Sequence, residues 1–400
     1  MKAILFTGPS KSGWVHNFIT EISKSLTKLN IDNLILDCNM YSFEKLKAVY
    51  DSYRPDWTFG INNIFPQYNA IDSGRTKIYE LFKIQHYAYL VDNPYIWLTS
   101  DSIDFNSDYI NVITIDNIEI LENAGIKNCA EIIYGCPSSL RNKELENLDY
   151  KNLGLLFVGN IADPIKEAER INSTNNITDA QKKAVIDYCK KTFEKISSDK
   201  MFLKANLLTE FYYEASSLDI FDKNLKGNRQ LLDSFMVVER FYESLARVNI
   251  LKRLKSTNMH CVMAGGEAMS QFCGDADNFQ FQDSVDYCRY LNMISSMCVN
   301  MNITPKHLHV HDRITSTLLS GSLLVTTPVP KLVDKFPILK DILVDVEFGE
   351  NSFIDKIDNI VSSRSDYNNR VQAGAELAEK HFTWDAVSVK ILEFINLTLK

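Results

Sequence analysis

The chain has 400 residues, 45% of them hydrophobic, which is enough to bury two ordinary cores. A net charge of -8 with both signs interspersed argues against a basic nucleic-acid-binding surface, and no apolar run reaches the length of a membrane span. The eight cysteines (38, 129, 136, 189, 261, 273, 288 and 298) contain no C-x-x-C pair, so thiols in a cytoplasmic protein are expected.

The first residues form a short apolar run that fits a buried strand (3–6) better than a signal peptide. A loop (7–13) and a helix (14–29) follow, the helix carrying Phe18, Ile19, Ile22, Leu26 and Leu29 at helical spacing. The loop contains Lys-Ser-Gly but not G-x-x-x-x-G-K-[ST], so it is read as a turn rather than a phosphate loop. Strands are expected at 33–37, 56–61, 87–91, 111–115 and 131–134, with helices at 43–53 and 117–124. Alternation of this kind implies a doubly wound parallel sheet, here a first Rossmann-like α/β domain over 1–140.

A polar stretch (141–152) reads as a linker to a second α/β domain over 153–380. Its first strand (153–158) ends in Gly159-Asn160. Residues 178–257 hold no convincing strand and are expected to form a helical insertion; Arg240 and Arg247 share one face there, read as a solvated face. Strands at 260–264, ending in Gly265-Gly266-Glu267, and at 279–281 precede a helix at 285–296. The C-terminal part should supply a helix at 331–336, a strand at 342–346, and helices at 353–363, 367–381 and 385–397.

Residues 299–330 organise the second half. A strand (298–303) enters a loop with His307, His309 and His311; a helix from about Asp312 to Gly321 and a strand (322–327) follow. Asp312 is expected as the N-cap and Gly321 as the left-handed residue that ends the helix. This βαβ unit puts its loop at the carboxyl end of the first strand, where parallel sheets bind ligands and a helix N-terminus favours anions. Three alternating histidines suggest zinc, but without a companion carboxylate motif no metal is assigned.

The run N-I-T-P…H-D-R-I…S-G-S-L-L-V-T resembles the donor-binding segment of group 1 glycosyltransferases of the GT-B fold, nearest to the branch of spore-maturation CgeB-like proteins. The resemblance implies two Rossmann-like domains, a nucleotide-diphosphate sugar held by the second, an acceptor on the first, and transfer in the cleft without metal or cofactor. It implies donor contacts from Gly159, Asn160, Gly265, Asn302, Thr304, His311, Asp312, Arg313, Gly321 and Thr326. Arg313 would bind phosphate oxygens, a salt bridge to a neighbouring acid being the plainer alternative. The final helix (381–400) would cross back to the first domain. Many group 1 enzymes carry a pair of Glu residues seven apart after this strand; residues 328–335 contain no Glu.

His16, at the start of the first helix, could serve as a general base, and Asp92, before Asn93-Pro94, could do so or orient an acceptor. A surface histidine and a turn aspartate are the plainer readings. The acceptor itself, glycan, protein or small molecule, is not specified. The rival functions are a catalytically silent nucleotide- or glycan-binding module and a sugar-nucleotide epimerase.

Overall fold

A computed structural model describes residues 1–8, 10, 13–62, 64, 67–70, 74–92, 97, 107–115, 118–123, 125–141, 152–197, 229–265, 268–304, 310–346 and 352–399. The chain divides into two compact units, Met1–Ser138 with His381–Lys400, and Ser139–Lys380.

The first unit is built on a six-stranded sheet of β1 (Lys2–Thr7), β2 (Asp32–Asp37), β3 (Trp57–Ile61), β6 (Gln85–Leu90), β7 (Ile110–Thr114) and β8 (Cys129–Glu131). Its order is β2-β1-β3-β6-β7-β8, every pair is parallel, and β4 (Gln67–Ala70) and β5 (Gly74–Lys77) make a separate antiparallel hairpin. All residues of β3, β6 and β7 are buried, as expected for parallel strands covered on both faces. The strand expected at 131–134 stops at Glu131, and the Tyr89 hydroxyl donates to the carbonyls of both Ile132 and Ile133 (3.1 Å each), taking the place of a strand partner.

The Trp14–Lys28 helix buries Phe18, Ile19, Ile22 and Leu26, and the Trp384–Thr398 helix packs against it. Asp385 accepts from Ser25 Oγ (2.7 Å) and pairs with Lys28 (2.7 Å). Trp384 fills the space over Gly135, where a Cβ would stand 2.3 Å from the indole.

The second unit holds β9 (Asn152–Val158), β10 (His260–Ala264), β11 (Phe279–Gln282), β12 (Met297–Asn302), β13 (Leu323–Thr326) and β14 (Val344–Asp345), in the order β11-β10-β9-β12-β13-β14. All five pairings are parallel. Numbered within the sheet this is 3-2-1-4-5-6, with the direction of winding reversing between β9 and β12. The expected strand at 342–346 is shorter because Leu339–Ile342 forms a helical turn. Helices Asp179–Ser197 and Arg229–Arg253 lie in the expected insertion; residues 198–228 of it are outside the described residues. None of the eight cysteines is in a disulfide, and among the described residues no helix is long and apolar enough to cross a membrane.

His86, on β6, is fully buried, with Nδ1 2.9 Å from the Thr58 hydroxyl and its ring stacked on Tyr79. Burial pushes its pKa down to about 3. An unfolded histidine titrates near 6.5, so between these values the unfolded chain holds the extra proton, and folding stability falls as pH drops below 6.5. The expected loss is about 1.4 kcal/mol per pH unit from this group. Urea unfolding from pH 7 to 5 should show that slope, and His86→Phe should remove about one proton's worth of it. An unchanged slope in the variant would contradict the assignment.

Candidate functional site

The carboxyl ends of β9, β10, β12 and β13 converge around one constellation in the second unit. Gly159 follows β9 and Gly265 follows β10; Gly159 N donates to the Ala264 carbonyl (2.9 Å) and Gly265 N to that of Gln282 (3.2 Å). A Cβ on Gly265 would lie 1.9 Å from the Gly159 carbonyl oxygen, so the two loops touch backbone to backbone. A Cβ on Gly159 would lie 3.3 Å from Arg313 Nη2, so this guanidinium lies over that glycine.

Asn302 ends β12 and is fully buried. Its amide donates to Thr304 Oγ1 (2.9 Å) and Thr326 Oγ1 (3.1 Å), and its Oδ1 accepts from Arg313 Nη1 (3.4 Å). Thr327 completes the set, donating to the Thr304 carbonyl (2.8 Å) and accepting from Thr304 N (3.3 Å). Thr304 and Thr326 therefore hold Asn302, and Asn302 aims Arg313. Among the described residues Arg313 pairs with no carboxylate.

The Asp312–Leu319 helix begins here, and its cap differs from the expectation. His311, not Asp312, is the N-cap: its Nδ1 accepts from Arg313 N (3.3 Å), while Asp312 is the first helical residue. A carboxylate cap was expected because Asp is a preferred N-cap and His is not. The Asp312 carboxylate, 2% exposed, lies against the same imidazole nitrogen. That nitrogen serves one role at a time: bare, it caps the helix; protonated, it pairs with Asp312. Burial, and then the Arg313 charge, hold the His311 pKa below its ordinary value, which favours the neutral imidazole.

Two other expectations change. Gly321 does adopt the left-handed conformation (φ 66), and Ser322 N and Gly321 N donate to the carbonyls of Thr317 and Leu318 to close the helix. It lies at the opposite end of the sheet from Arg313, about 12 Å of helix away, where Ser322 Oγ donates to the carbonyl of Met297 at the start of β12. Gly321 is thus a structural cap and not a donor contact. Arg247 is the second correction. It is 7% exposed rather than solvated, and its Nη1 and Nε donate to the carbonyls of Asn160 (2.8 Å) and Ile303 (3.2 Å). Arg240, on the same helix, is exposed. Spacing revealed a shared face but not which end of it faced the sheet. Asn160 itself contributes its carbonyl and is otherwise exposed.

In the first unit, His16 is exposed in the first turn of its helix, three residues after the left-handed Gly13 cap. Asp92 follows β6 and is exposed. Asn62, at the end of β3 with φ 56, donates to Asp92 Oδ2 (2.8 Å) and accepts from Val91 N (2.9 Å), holding that carboxylate in place. Asn62 was not singled out by sequence; an Asn just after a strand carries no distinctive signal. His307, His309, Gly266, Glu267, Asn93 and Pro94 lie outside the described residues. Among the described residues, no group of three His, Cys, Asp or Glu could hold a metal ion.

No protein-family model matches the sequence, and no curated protein matches it. Solved structures do. An alpha-glucosyltransferase in complex with UDP-glucose and DNA containing an abasic site is similar with a TM-score of 0.55 at 11% identity, covering 100% of both chains. Sucrose-phosphate synthase from Thermosynechococcus elongatus is similar with a TM-score of 0.54 at 10% identity, covering 99% of this chain and 98% of that one. AviGT4, a glycosyltransferase involved in avilamycin A biosynthesis, gives a TM-score of 0.53 at 9% identity over 100% and 98%. The fold is the two-domain α/β fold of GT-B glycosyltransferases.

The contact between Gly265 and Gly159 is testable. Gly265→Ala must separate the β9 and β10 loops, because its methyl also meets Met269 Cε at 2.4 Å. The expected cost is about 1–3 kcal/mol, measured by urea unfolding, with Gly159→Ala milder. Equal stability of Gly265→Ala and wild type would show that the loops are not in contact.

Proposed function

We propose that the protein is a glycosyltransferase that moves a sugar from a nucleotide-diphosphate donor, bound by the second unit, to an acceptor hydroxyl or amide served by the first. One observation carries this reading: Arg313 stands at a helix N-terminus beside the carboxyl ends of parallel strands, at the point where the winding reverses, with only a neutral amide as its partner among the described residues. A guanidinium there, together with the helix dipole, suits two phosphate oxygens and stabilises a departing nucleoside diphosphate. The fold of the alpha-glucosyltransferase solved with UDP-glucose supports the same class of donor. Because the phosphate charge is met by Arg313 and backbone N–H groups, the transfer is proposed to need no metal or cofactor. Membership of the CgeB-like branch is proposed on the H-D-R run beginning at His311. A nucleic-acid partner is not proposed for a chain of net charge -8.

Arg313→Ala should weaken binding of UDP, UDP-glucose or another nucleotide sugar about tenfold or more, matching the 1.5–3 kcal/mol of a charged hydrogen bond. Titration calorimetry in EDTA measures this and the metal requirement together. Unchanged affinity in a folded variant, or binding that vanishes in EDTA, would contradict the proposal.

On the acceptor side, His16 is proposed as the base and Asp92, held by Asn62, as the group that orients the acceptor. Once a donor is found, His16→Ala should lower turnover by roughly 10²–10⁴-fold and leave donor affinity unchanged, while Asp92→Asn has the smaller effect. The opposite ranking exchanges their roles, and two silent substitutions indicate a retaining mechanism without a protein base.

A further inference from the structure

Arg247 comes from the Arg229–Arg253 helix in the expected insertion, outside the βαβ segment that carries Arg313. Its guanidinium is nearly fully removed from water, packs over the Phe157 ring (6.0 Å), and pairs with Glu243 one turn earlier. Burying a guanidinium is costly unless its N–H groups are used. Here they reach the carbonyls of Asn160 and Ile303, which belong to the two loops on either side of the switch point. Carbonyl oxygens at the mouth of an anion site would repel the ligand. A cation that occupies them removes that repulsion and sets the spacing of the two loops.

We infer that Arg247 is a positioning residue for the phosphate part of the donor: by tying the Asn160 and Ile303 carbonyls together behind the Gly159–Arg313 contact, it makes the site selective for a phosphorylated ligand over the neutral nucleoside. Glu243 balances its charge, so Arg313 is left as the cation that meets the ligand. Arg247 acts through the loops and does not itself touch the donor. This inference rests on the donor reading above.

The test compares UDP, GDP, ADP and dTDP with their parent nucleosides, titrated into wild type, Arg247→Met, Glu243→Gln/Arg247→Met and Arg247→Lys, with melting temperature followed in parallel. The double variant also removes the carboxylate that pairs with Arg247. For the nucleotide that wild type prefers, diphosphate affinity should fall about tenfold in both Met variants, nucleoside affinity should change by less than about threefold, and Arg247→Lys should be intermediate. A merely structural role would weaken diphosphate and nucleoside alike, and that result would overturn the inference. So would a folded double variant with wild-type diphosphate affinity. Should the Met variants fail to fold, Arg247→Lys decides alone: an affinity ratio equal to that of wild type overturns the inference. Wild type binding none of the four diphosphates would overturn the donor reading and this inference with it. Loss in Arg313→Ala without loss in the Arg247 variants would leave that reading standing and overturn this inference only.

Discussion

β9 hydrogen-bonds to β10 on one edge and β12 on the other, and this double parallel pairing determines what can meet at the site. The chain leaves β9 toward one side of the sheet and returns to add β12 on the other, so the loops after β9 and β12 diverge and leave a crevice between them. Residues that end these strands or begin the next helix reach it, and Arg247 reaches the same two loops from the Arg229–Arg253 helix. The Gly159–Gly265 contact shows how little room remains: a single methyl on Gly265 would overlap the neighbouring carbonyl.

Within this frame the polar groups form a chain of dependence. Thr304, Thr326 and Asn302 are each at most 2% exposed, and their hydroxyls and amide satisfy one another. Buried polar groups satisfied in this way add little net stability over an apolar core but specify one geometry. The outcome of that geometry is the direction of the Arg313 side chain. A buried Arg247, whose pKa burial lowers to about 10, is likewise an expensive element whose value lies in arrangement.

Much of this fold was legible in the sequence. Apolar runs punctuated by Gly, Asn and Pro located the strands of both sheets to within a few residues, because parallel strands buried on both faces leave an unbroken apolar signature. Arg313 and Asn302 were legible through a motif, and a motif reports local chain geometry. Arg247 was not: its role depends on which side of a 25-residue helix meets the sheet, and periodicity defines a face without orienting it. The His311 cap was missed for another reason. Two adjacent polar residues can both precede a helix, and only the backbone dihedrals decide which one stands outside it. Gly321 shows the reverse case, a correct conformation with the wrong role, since a left-handed glycine looks the same in sequence whether it closes a helix or admits a ligand.

The choice of cap has an electrostatic consequence. An N-terminal carboxylate cap stabilises a helix by opposing the positive end of its dipole, and the same opposition would weaken any anion that the helix attracts. An imidazole held below its ordinary pKa satisfies the Arg313 N–H without a negative charge. Asp312 sits one residue further in, buried against that imidazole. The helix is thus capped by a neutral group where it faces the crevice. In a chain of net charge -8, an attractive site for an anion has to be built locally, from a guanidinium that pairs with no carboxylate among the described residues, from one helix dipole, and from a cap that turns the Asp312 carboxylate onto an imidazole.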